Sequence, residues 1–151
     1  MHYLTVQDVL WVNFQITKGV STFDAETLES AVYHQFGYGK SIDVLAQAAK
    51  FILGFERLKP FEVGNMATCL VCVASFLELN GYEFSPVGDG AVSWIEKVAG
   101  YPDSSLDALK SAVEVSDHTT HKGIQERCDD VLKRLASATE ALEKNFEPVL
   151  A

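Results

Sequence analysis

The sequence predicts an all-α fold, and three observations support this prediction. Apolar residues recur with the i, i+3, i+4 spacing of helices along most of the chain. Residues 65–79 are apolar nearly all round, which is typical of a helix that other helices surround. A strand pattern is visible only as a short stub at Tyr82–Phe84. We therefore expect a helical bundle around a central buried helix at about residues 65–80.

Two helices are predicted before residue 35. Thr5 followed by Asp8 resembles a capping box. The positions that follow it with helical spacing are Val6, Val9, Leu10, Asn13 and Phe14. Asp24 is expected to cap the second helix, whose apolar positions are Leu28, Ala31 and Val32. The segment 35–40, QFGYGK, has two glycines flanking an aromatic residue, and this pattern predicts a flexible loop or short flap.

The third and fourth helices are expected to form the centre. The third is predicted to begin at Ser41 and to end at the Leu58-Lys59-Pro60-Phe61 step. Its apolar stripe is Leu45, Ala48, Ala49, Ile52 and Leu53. In the fourth helix, the polar residues between Ala67 and Leu79 are Thr68, Ser75 and Glu78. Asn80-Gly81 is a typical helix end.

The C-terminal part is also predicted to be helical. Asp89 can cap a helix to about Ala99, and Asp103 or Ser104 can begin another to about Val115. That second helix would place Leu106, Leu109 and Val113 on one face. Residues 116–122 are a polar connector.

A helix of about 25 residues is predicted to close the chain, with a heptad-like apolar seam. The seam comprises Ile124, Cys128, Val131, Leu135, Ala138 and Leu142. It is expected to pack on the core or on a second copy of the chain, so a homodimer through this helix is one expectation. We predict one domain over residues 1–151, with a core at about 3–100 and additional helices at about 103–147.

Composition and charge exclude several classes of protein. The chain has 151 residues, of which 48% are hydrophobic and 22% charged, as in globular proteins. It contains no apolar run of about 18 residues, and its N-terminus lacks a signal-peptide pattern, so we expect a cytoplasmic protein without a membrane span. The net charge of −9 disfavours direct nucleic-acid binding.

The cysteines and histidines do not predict a metal site. Three cysteines are an odd number, which fits a reducing compartment better than a disulfide scaffold. Cys69 and Cys72 form a C-x-x-C inside the apolar run, and we expect small buried side chains there. His118 and His121 could share a helical face, but no carboxylate stands at ligand spacing, so an exposed loop is the preferred interpretation.

The segment 58–68, LKPFEVGNMAT, is the candidate site. The first amides of a helix have no intrahelical partner, and the helix dipole leaves partial positive charge there, so a helix start can hold an anion. Gly64 permits close backbone approach, and Asn65 can cap the helix or donate a side-chain hydrogen bond. An ordinary tight turn and cap after Pro60 is the alternative interpretation.

These residues resemble a known family. LKPFEVGNMATCLVCVASFLELNGYEF is similar to the signature of Fic/Doc (Fido) proteins, H-P-F-x-[D/E]-G-N-[G/K]-R, followed by their central helix and its Asn-Gly-Tyr end. Residues 28–32 resemble the segment before the family's flap, and residues 48–53 resemble the helix before its loop. The resemblance covers about residues 3–98 and is closest to the short Doc (death-on-curing) branch. It implies a Fic/Doc-like helical bundle.

The resemblance implies an activity and also its loss. Family members use ATP and magnesium to adenylylate or phosphorylate a protein hydroxyl, with a histidine base, an acidic magnesium ligand and a phosphate-binding arginine. This chain has Lys59, Val63 and Ala67 at those positions. A lysine is protonated at pH 7 and is a poor base, and valine offers magnesium no oxygen. The residues that match the signature are Pro60, Phe61, Gly64 and Asn65.

Two functional hypotheses follow from the resemblance. The first is a catalytically degenerate Doc-like protein related to toxin–antitoxin systems. It would bind an antitoxin-like or target protein in a groove near the flap at 35–40, with the candidates Tyr38 and Lys40, and near the loop at 59–65, and it would need no cofactor.

The alternative is a nucleotide-dependent transferase with a non-standard site that uses ATP and magnesium. Lys59 would bind phosphate in this case, and Asn65 and the amides of residues 64–67 would donate hydrogen bonds. The candidate residues for anion or nucleotide binding are Lys59, Phe61, Gly64 and Asn65.

Overall fold

The structure is a computed structural model that describes residues 2–19, 21–36, 43–116 and 123–145. Within these ranges the chain forms eight α-helices, a 3-10 turn and one two-stranded antiparallel sheet. The elements in order are α1 (Val6–Thr17), α2 (Ala25–Tyr33), α3 (Val44–Leu58), α4 (Asn65–Leu79), β1 (Tyr82–Phe84), α5 (Gly88–Gly100), the 3-10 turn (Pro102–Ser104), α6 (Ser105–Lys110), β2 (Val113–Val115), α7 (Ile124–Arg134) and α8 (Ala136–Asn145). The predicted helical character and the short strand at Tyr82–Phe84 are confirmed, and its partner strand β2 is an addition.

Helix α4 lies at the centre of the fold, as predicted. Every residue from Met66 to Leu77 is buried. Helices α1, α3, α7 and α8 and strand β1 all pack against it. Because α4 is apolar on all sides, it can bury surface against several neighbours at once, and this places it inside the bundle rather than at its edge.

The first two helices begin where the sequence predicts. Thr5 Oγ1 accepts a hydrogen bond from Asp8 N at 3.1 Å, and the Asp8 carboxylate accepts one from Thr5 N at 2.8 Å. Asp24 Oδ1 accepts from Thr27 N at 2.9 Å. One assignment in α1 is wrong, because Phe14 is 58% exposed while Val12 and Ile16 complete the buried face.

Two predicted helix starts are displaced. Helix α3 begins at Val44, and its cap is Asp43, whose carboxylate accepts from Leu45 N at 3.1 Å. Ser41 itself lies outside the described residues. Helix α5 begins at Gly88, so Asp89 lies inside the first turn rather than before it. A carboxylate in the first turn still interacts favourably with the helix dipole, which explains why the pattern suggested a cap.

The helix predicted from Asp103 or Ser104 to Val115 is wrong in its second half. Helix α6 ends at Lys110, and Val113–Val115 form β2, which pairs antiparallel with β1. The register places Tyr82 opposite Val115 and Phe84 opposite Val113. Two valines with a polar residue between them suit a pleated strand. Pairing with β1 stabilises the strand over a continued helix.

The predicted C-terminal helix is divided into α7 and α8 at Leu135. Its seam residues Cys128, Val131, Leu135, Ala138 and Leu142 are buried, and Ile124 is half-buried. Helices α7 and α8 both pack on α4, and α8 also packs on α5. The seam is therefore covered by the chain's own core. A homodimer through this helix stays a prediction, and it would need a different face.

An ionic cluster joins the end of α4 to α7. The Glu78 side chain is 7% exposed, and its Oε1 accepts a hydrogen bond from Arg127 Nη1 at 3.0 Å. Its Oε2 accepts one from Arg134 Nη2. The Arg127 side chain is 10% exposed, so this pair lies largely out of water. Two positive groups held by one carboxylate position α7 against the central helix.

In the part of the chain that the structure describes, every helix is too short or too polar to cross a lipid bilayer.

Candidate functional site

The loop between α3 and α4 has left-handed backbone at both ends. Lys59 caps α3 at φ 44° and ψ 66°, and its N–H donates to Phe55 O at 2.8 Å. Gly64 caps α4 at φ 79° and ψ 16°. The sequence prediction that this segment ends one helix and starts the next is confirmed. The loop turns sharply enough to bring α4 alongside α3.

Asn65 closes the loop and does not cap the helix. Its Oδ1 accepts from Phe61 N at 2.9 Å, and its Nδ2 donates to Phe61 O at 2.6 Å. The predicted cap is wrong, and the hydrogen bond that the Asn65 side chain donates goes to Phe61 O within the loop. The start of α4 has no side-chain cap. Phe61 is 3% exposed and lies between the rings of Phe23 and Phe55, at centroid distances of 6.1 and 6.3 Å.

Gly64 faces helix α1. A Cβ at Gly64 would lie 2.9 Å from Thr17 Cγ2 and 3.2 Å from Asn13 Nδ2. The close backbone approach predicted at this glycine is therefore an approach to α1. Asn13, which is 2% exposed, donates from Nδ2 to Val63 O at 3.2 Å and to Thr68 Oγ1 at 3.1 Å.

The segment before α2 bonds to further backbone groups of the loop. Ser21 Oγ accepts from Val63 N at 3.2 Å and donates to Val63 O at 3.1 Å. Glu62 N donates to Thr22 O at 2.9 Å, and Thr22 Oγ1 donates to the Glu62 carboxylate at 2.6 Å. Sequence reasoning missed Asn13 and Ser21. The sequence did place the polar Asn13 on the apolar face of α1, and a buried polar side chain needs a hydrogen-bond partner.

The three positions at which Fic/Doc proteins have their catalytic residues differ in exposure and in side-chain chemistry. Lys59 has a 61% exposed side chain, and its Nζ lies 3.5 Å from Glu56 Oε1. Val63 is half-buried, and Ala67 is 1% exposed. The side chains of Val63 and Ala67 cannot donate, accept or transfer a proton. The flap candidates Tyr38 and Lys40 lie outside the described residues.

A groove of about 650 Å³ lies elsewhere, between the N-terminal segment and α2. Its aromatic residues are Tyr3, Tyr33 and Phe36, with ring centroids 4.5 Å apart for Tyr3–Phe36 and 5.1 Å for Tyr33–Phe36. Tyr33 is 58% exposed. The groove reaches Phe36, which lies inside the predicted flap segment 35–40. The predicted groove also included the loop 59–65, which does not line this one.

Gln35 connects the two walls of this aromatic groove. Its Oε1 accepts from Leu4 N at 2.7 Å, and its Nε2 donates to Leu4 O at 2.6 Å. Gln35 is 1% exposed, and its own carbonyl accepts from Gln47 Nε2 at 2.9 Å. The amide therefore holds the N-terminal segment against the end of α2. The sequence pattern placed Gln35 in a loop and did not indicate this role.

The three cysteines are buried free thiols, as predicted. Burial raises the pKa values of Cys69 and Cys72 well above the ordinary value, and it raises the pKa of Cys128 to about 11. Among the described residues, no group of three or more His, Cys, Asp or Glu side chains is placed to hold a metal ion. His118 and His121 lie outside those residues.

The buried thiols predict a loss of stability in alkali. Above pH 9.0, the ordinary thiol pKa, the unfolded chain loses thiol protons that the folded chain keeps, so the free energy of unfolding falls as pH rises. Each thiol contributes about 1.4 kcal/mol per pH unit. Urea unfolding across this range should give a Cys128→Ala variant a shallower slope than the parent between pH 9.0 and about 11. Equal slopes would contradict the assignment.

Comparison with family models, with curated proteins and with solved structures finds no match to this chain.

Proposed function

We propose that this chain is a catalytically inactive Fic/Doc-like protein that acts by binding a peptide segment of another protein. The observation that supports it most is the combination of a signature loop held by hydrogen bonds to its own Asn65 side chain with side chains that cannot perform transfer chemistry. Pro60, Phe61, Gly64 and Asn65 build the loop, whereas Lys59, Val63 and Ala67 stand where the family has its base, acidic residue and arginine.

The chain lacks the side chains that would lower the barrier for transfer. A general base typically contributes about 10²–10⁴ in rate, and charge stabilisation of the transition state contributes a further large factor. Val63 and Ala67 offer apolar side chains at the other two positions. At the start of α4, α1 lies against Gly64, and both polar atoms of the Asn65 side chain are bonded to Phe61.

The aromatic groove is the binding surface that we propose. Its volume of about 650 Å³ is in the range of pockets that hold ligands. Exposed aromatic side chains supply large contact area at small cost in conformational entropy. Glu29 lines the groove, and the chain carries a net charge of −9. Charge complementarity therefore favours a peptide in which Lys or Arg flanks apolar residues. In a toxin–antitoxin setting, an antitoxin-like or target protein would present that segment.

The transferase alternative has less support. Lys59 lies beside Glu56 at the exposed end of α3, and both polar atoms of the Asn65 side chain are bonded to Phe61. Isothermal titration with ATP and magnesium, followed by a labelled transfer assay, tests this alternative. We expect neither magnesium-dependent binding nor transfer. Transfer of label to a protein hydroxyl would overturn the assignment as an inactive protein.

The peptide hypothesis is tested by selecting short random peptides on the immobilised chain and measuring affinities by fluorescence anisotropy. We expect the selected peptides to combine aromatic or aliphatic residues with Lys or Arg. Tyr33→Ala should weaken their binding by about tenfold or more, because an interface aromatic typically contributes more than 1.4 kcal/mol. Glu29→Lys should weaken it further at low salt.

Tyr101→Ala is the matched control for Tyr33→Ala. Tyr101 is 65% exposed, does not line the aromatic groove and undergoes the same change of side chain. We expect it to leave the affinity unchanged. Selected peptides that bind the Tyr33→Ala and parent proteins equally well would place the interaction elsewhere and would contradict the proposal.

A further inference from the structure

A second concave surface lies between α3 and the end of α5, and we call it the α3–α5 cleft. Its volume is about 400 Å³. Of the described residues that line it, Lys50 and Arg57 carry positive charge and Glu56 carries negative charge. Lys50 and Arg57 are seven positions apart on α3, which puts them on the same side of the helix. The other lining residues are the apolar Leu53, Ala99 and Pro102, together with Gly54 and His34.

Gly54 shapes the floor of the cleft. It is buried inside α3, between Lys50 and Arg57. A Cβ at this position would lie 2.5 Å from both Cγ and Cδ2 of His34. A glycine in a helix interior is normally unfavourable, because it loses more backbone entropy than other residues on folding. Here it allows the imidazole to lie directly on the helix backbone, beside the two positive side chains.

The contacts of His34 hold the guanidinium of Arg57 at the cleft. Nδ1 lies 2.7 Å from Ser30 O, which accepts a hydrogen bond from it. Nε2 lies 3.2 Å from Arg57 Nη2, which donates to it. The imidazole therefore orients the guanidinium as a hydrogen-bond acceptor.

Arg57 is bonded to a histidine ring, whereas the nearby Lys59 is paired with the carboxylate of Glu56. Glu56 Oε1 lies 3.5 Å from Lys59 Nζ, so the negative charge at the cleft is shared with a lysine outside its lining. A guanidinium has five N–H donors in a fork that matches phosphate and carboxylate oxygens. The ring of His34 takes one of these donors. Because Arg57 lies at a cleft with apolar lining residues, it can bind an anion that also has an apolar body.

We propose that the α3–α5 cleft binds a small organic anion, in which a phosphate or carboxylate group contacts Arg57 and Lys50 and an apolar body contacts Leu53 and Pro102. The net charge of −9 does not prevent this, because charges on exposed surfaces are screened beyond about 8 Å at physiological salt. This site is separate from the aromatic groove, although His34 lines both. It does not depend on the proposed peptide binding.

The test uses two probes, phenyl phosphate and benzoate, in an NMR titration of the ¹⁵N-labelled full chain. We expect saturable shifts of the amide signals around Gly54 and Arg57. Phenol, which lacks the anion, should bind much more weakly. Arg57→Ala should weaken binding by about tenfold, because it removes charge-assisted hydrogen bonds. Arg57→Lys should give an intermediate affinity, since it keeps the charge but loses the fork.

Lys110→Ala is the control for net charge, because Lys110 is exposed on α6 and does not line the cleft. It should leave the affinity unchanged. Tighter binding of phenyl phosphate would support a phosphate ligand, and tighter binding of benzoate would support a carboxylate ligand. Absence of saturable shifts with both probes, or equal affinities for Arg57→Ala and the parent, would overturn the proposal. Arg57 is exposed, so its variants are expected to fold.

Discussion

Replacing Glu78 with alanine is expected to lower the free energy of unfolding by about 3–5 kcal/mol. The Glu78 carboxylate bonds to Arg127 and to Arg134, and the Arg127 side chain is only 10% exposed. Removing the carboxylate takes an ionic partner from a positive charge that lies largely out of water, and this costs more than the net contribution of the intact pair. Urea unfolding followed by circular dichroism measures the change.

Glu83→Ala is the control for the Glu78 prediction. Glu83 is exposed on β1 and lies opposite Glu114 in the strand pair, so its removal also relieves a repulsion between like charges. We expect a change within about 0.5 kcal/mol. Glu78→Gln keeps the shape of the side chain and should still be strongly destabilising, since it removes the negative charge. Equal stability of the Glu78 and Glu83 variants would contradict the role of the cluster.

Gly64→Ala is expected to destabilise the fold by about 2–4 kcal/mol, for two reasons. Gly64 has φ 79°, a left-handed conformation that costs other residues about 1–2 kcal/mol. A Cβ would also lie 2.9 Å from Thr17 Cγ2, which forces α1 and the loop apart, and such overpacking costs about 1–3 kcal/mol. Urea unfolding again gives the difference in the free energy of unfolding.

Gly81→Ala separates the two contributions. Gly81 has φ 92°, but a Cβ there would meet nothing within 4 Å, so only the backbone cost applies. We expect it to be less destabilising than Gly64→Ala. Adding Thr17→Ser to Gly64→Ala removes the methyl group that the new Cβ meets, so the double variant should recover part of the loss. No difference between the Gly64 and Gly81 variants would show that α1 does not approach the loop closely.

Prediction from sequence was accurate where neighbouring residues decide the structure. The capping of α1 by Thr5 and Asp8, the capping of α2 by Asp24 and the bounds of α4 all depend on residues within a few positions of each other. It failed at Val113–Val115, where a distant strand supplies the hydrogen bonds, and at Leu135, where packing on α4 and α5 divides a continuous helical pattern. Helical periodicity alone contains no information about either partner.

The candidate site divides in the same way. The turn, the conformation of Gly64 and the apolar character of Val63 and Ala67 were predictable from the sequence, because they follow from residue type. The partners of the loop were not. Asn13 and Ser21 bond to Val63 from positions 50 and 42 residues away. The aromatic groove joins residues about 30 positions apart and depends on a buried glutamine that the pattern placed in a loop.

The sequence by itself determined a helical chain with a largely apolar central helix and a tight turn before it. It also determined that two of the three positions at which Fic/Doc proteins have catalytic residues carry no ionisable side chain. Only the tertiary structure decided that the start of α4 faces α1, that the C-terminal seam is covered by the core, and that His34 lines both the aromatic groove and the α3–α5 cleft. Local propensity depends on residues close in the chain, whereas grooves and buried bonds depend on which distant surfaces exclude water together.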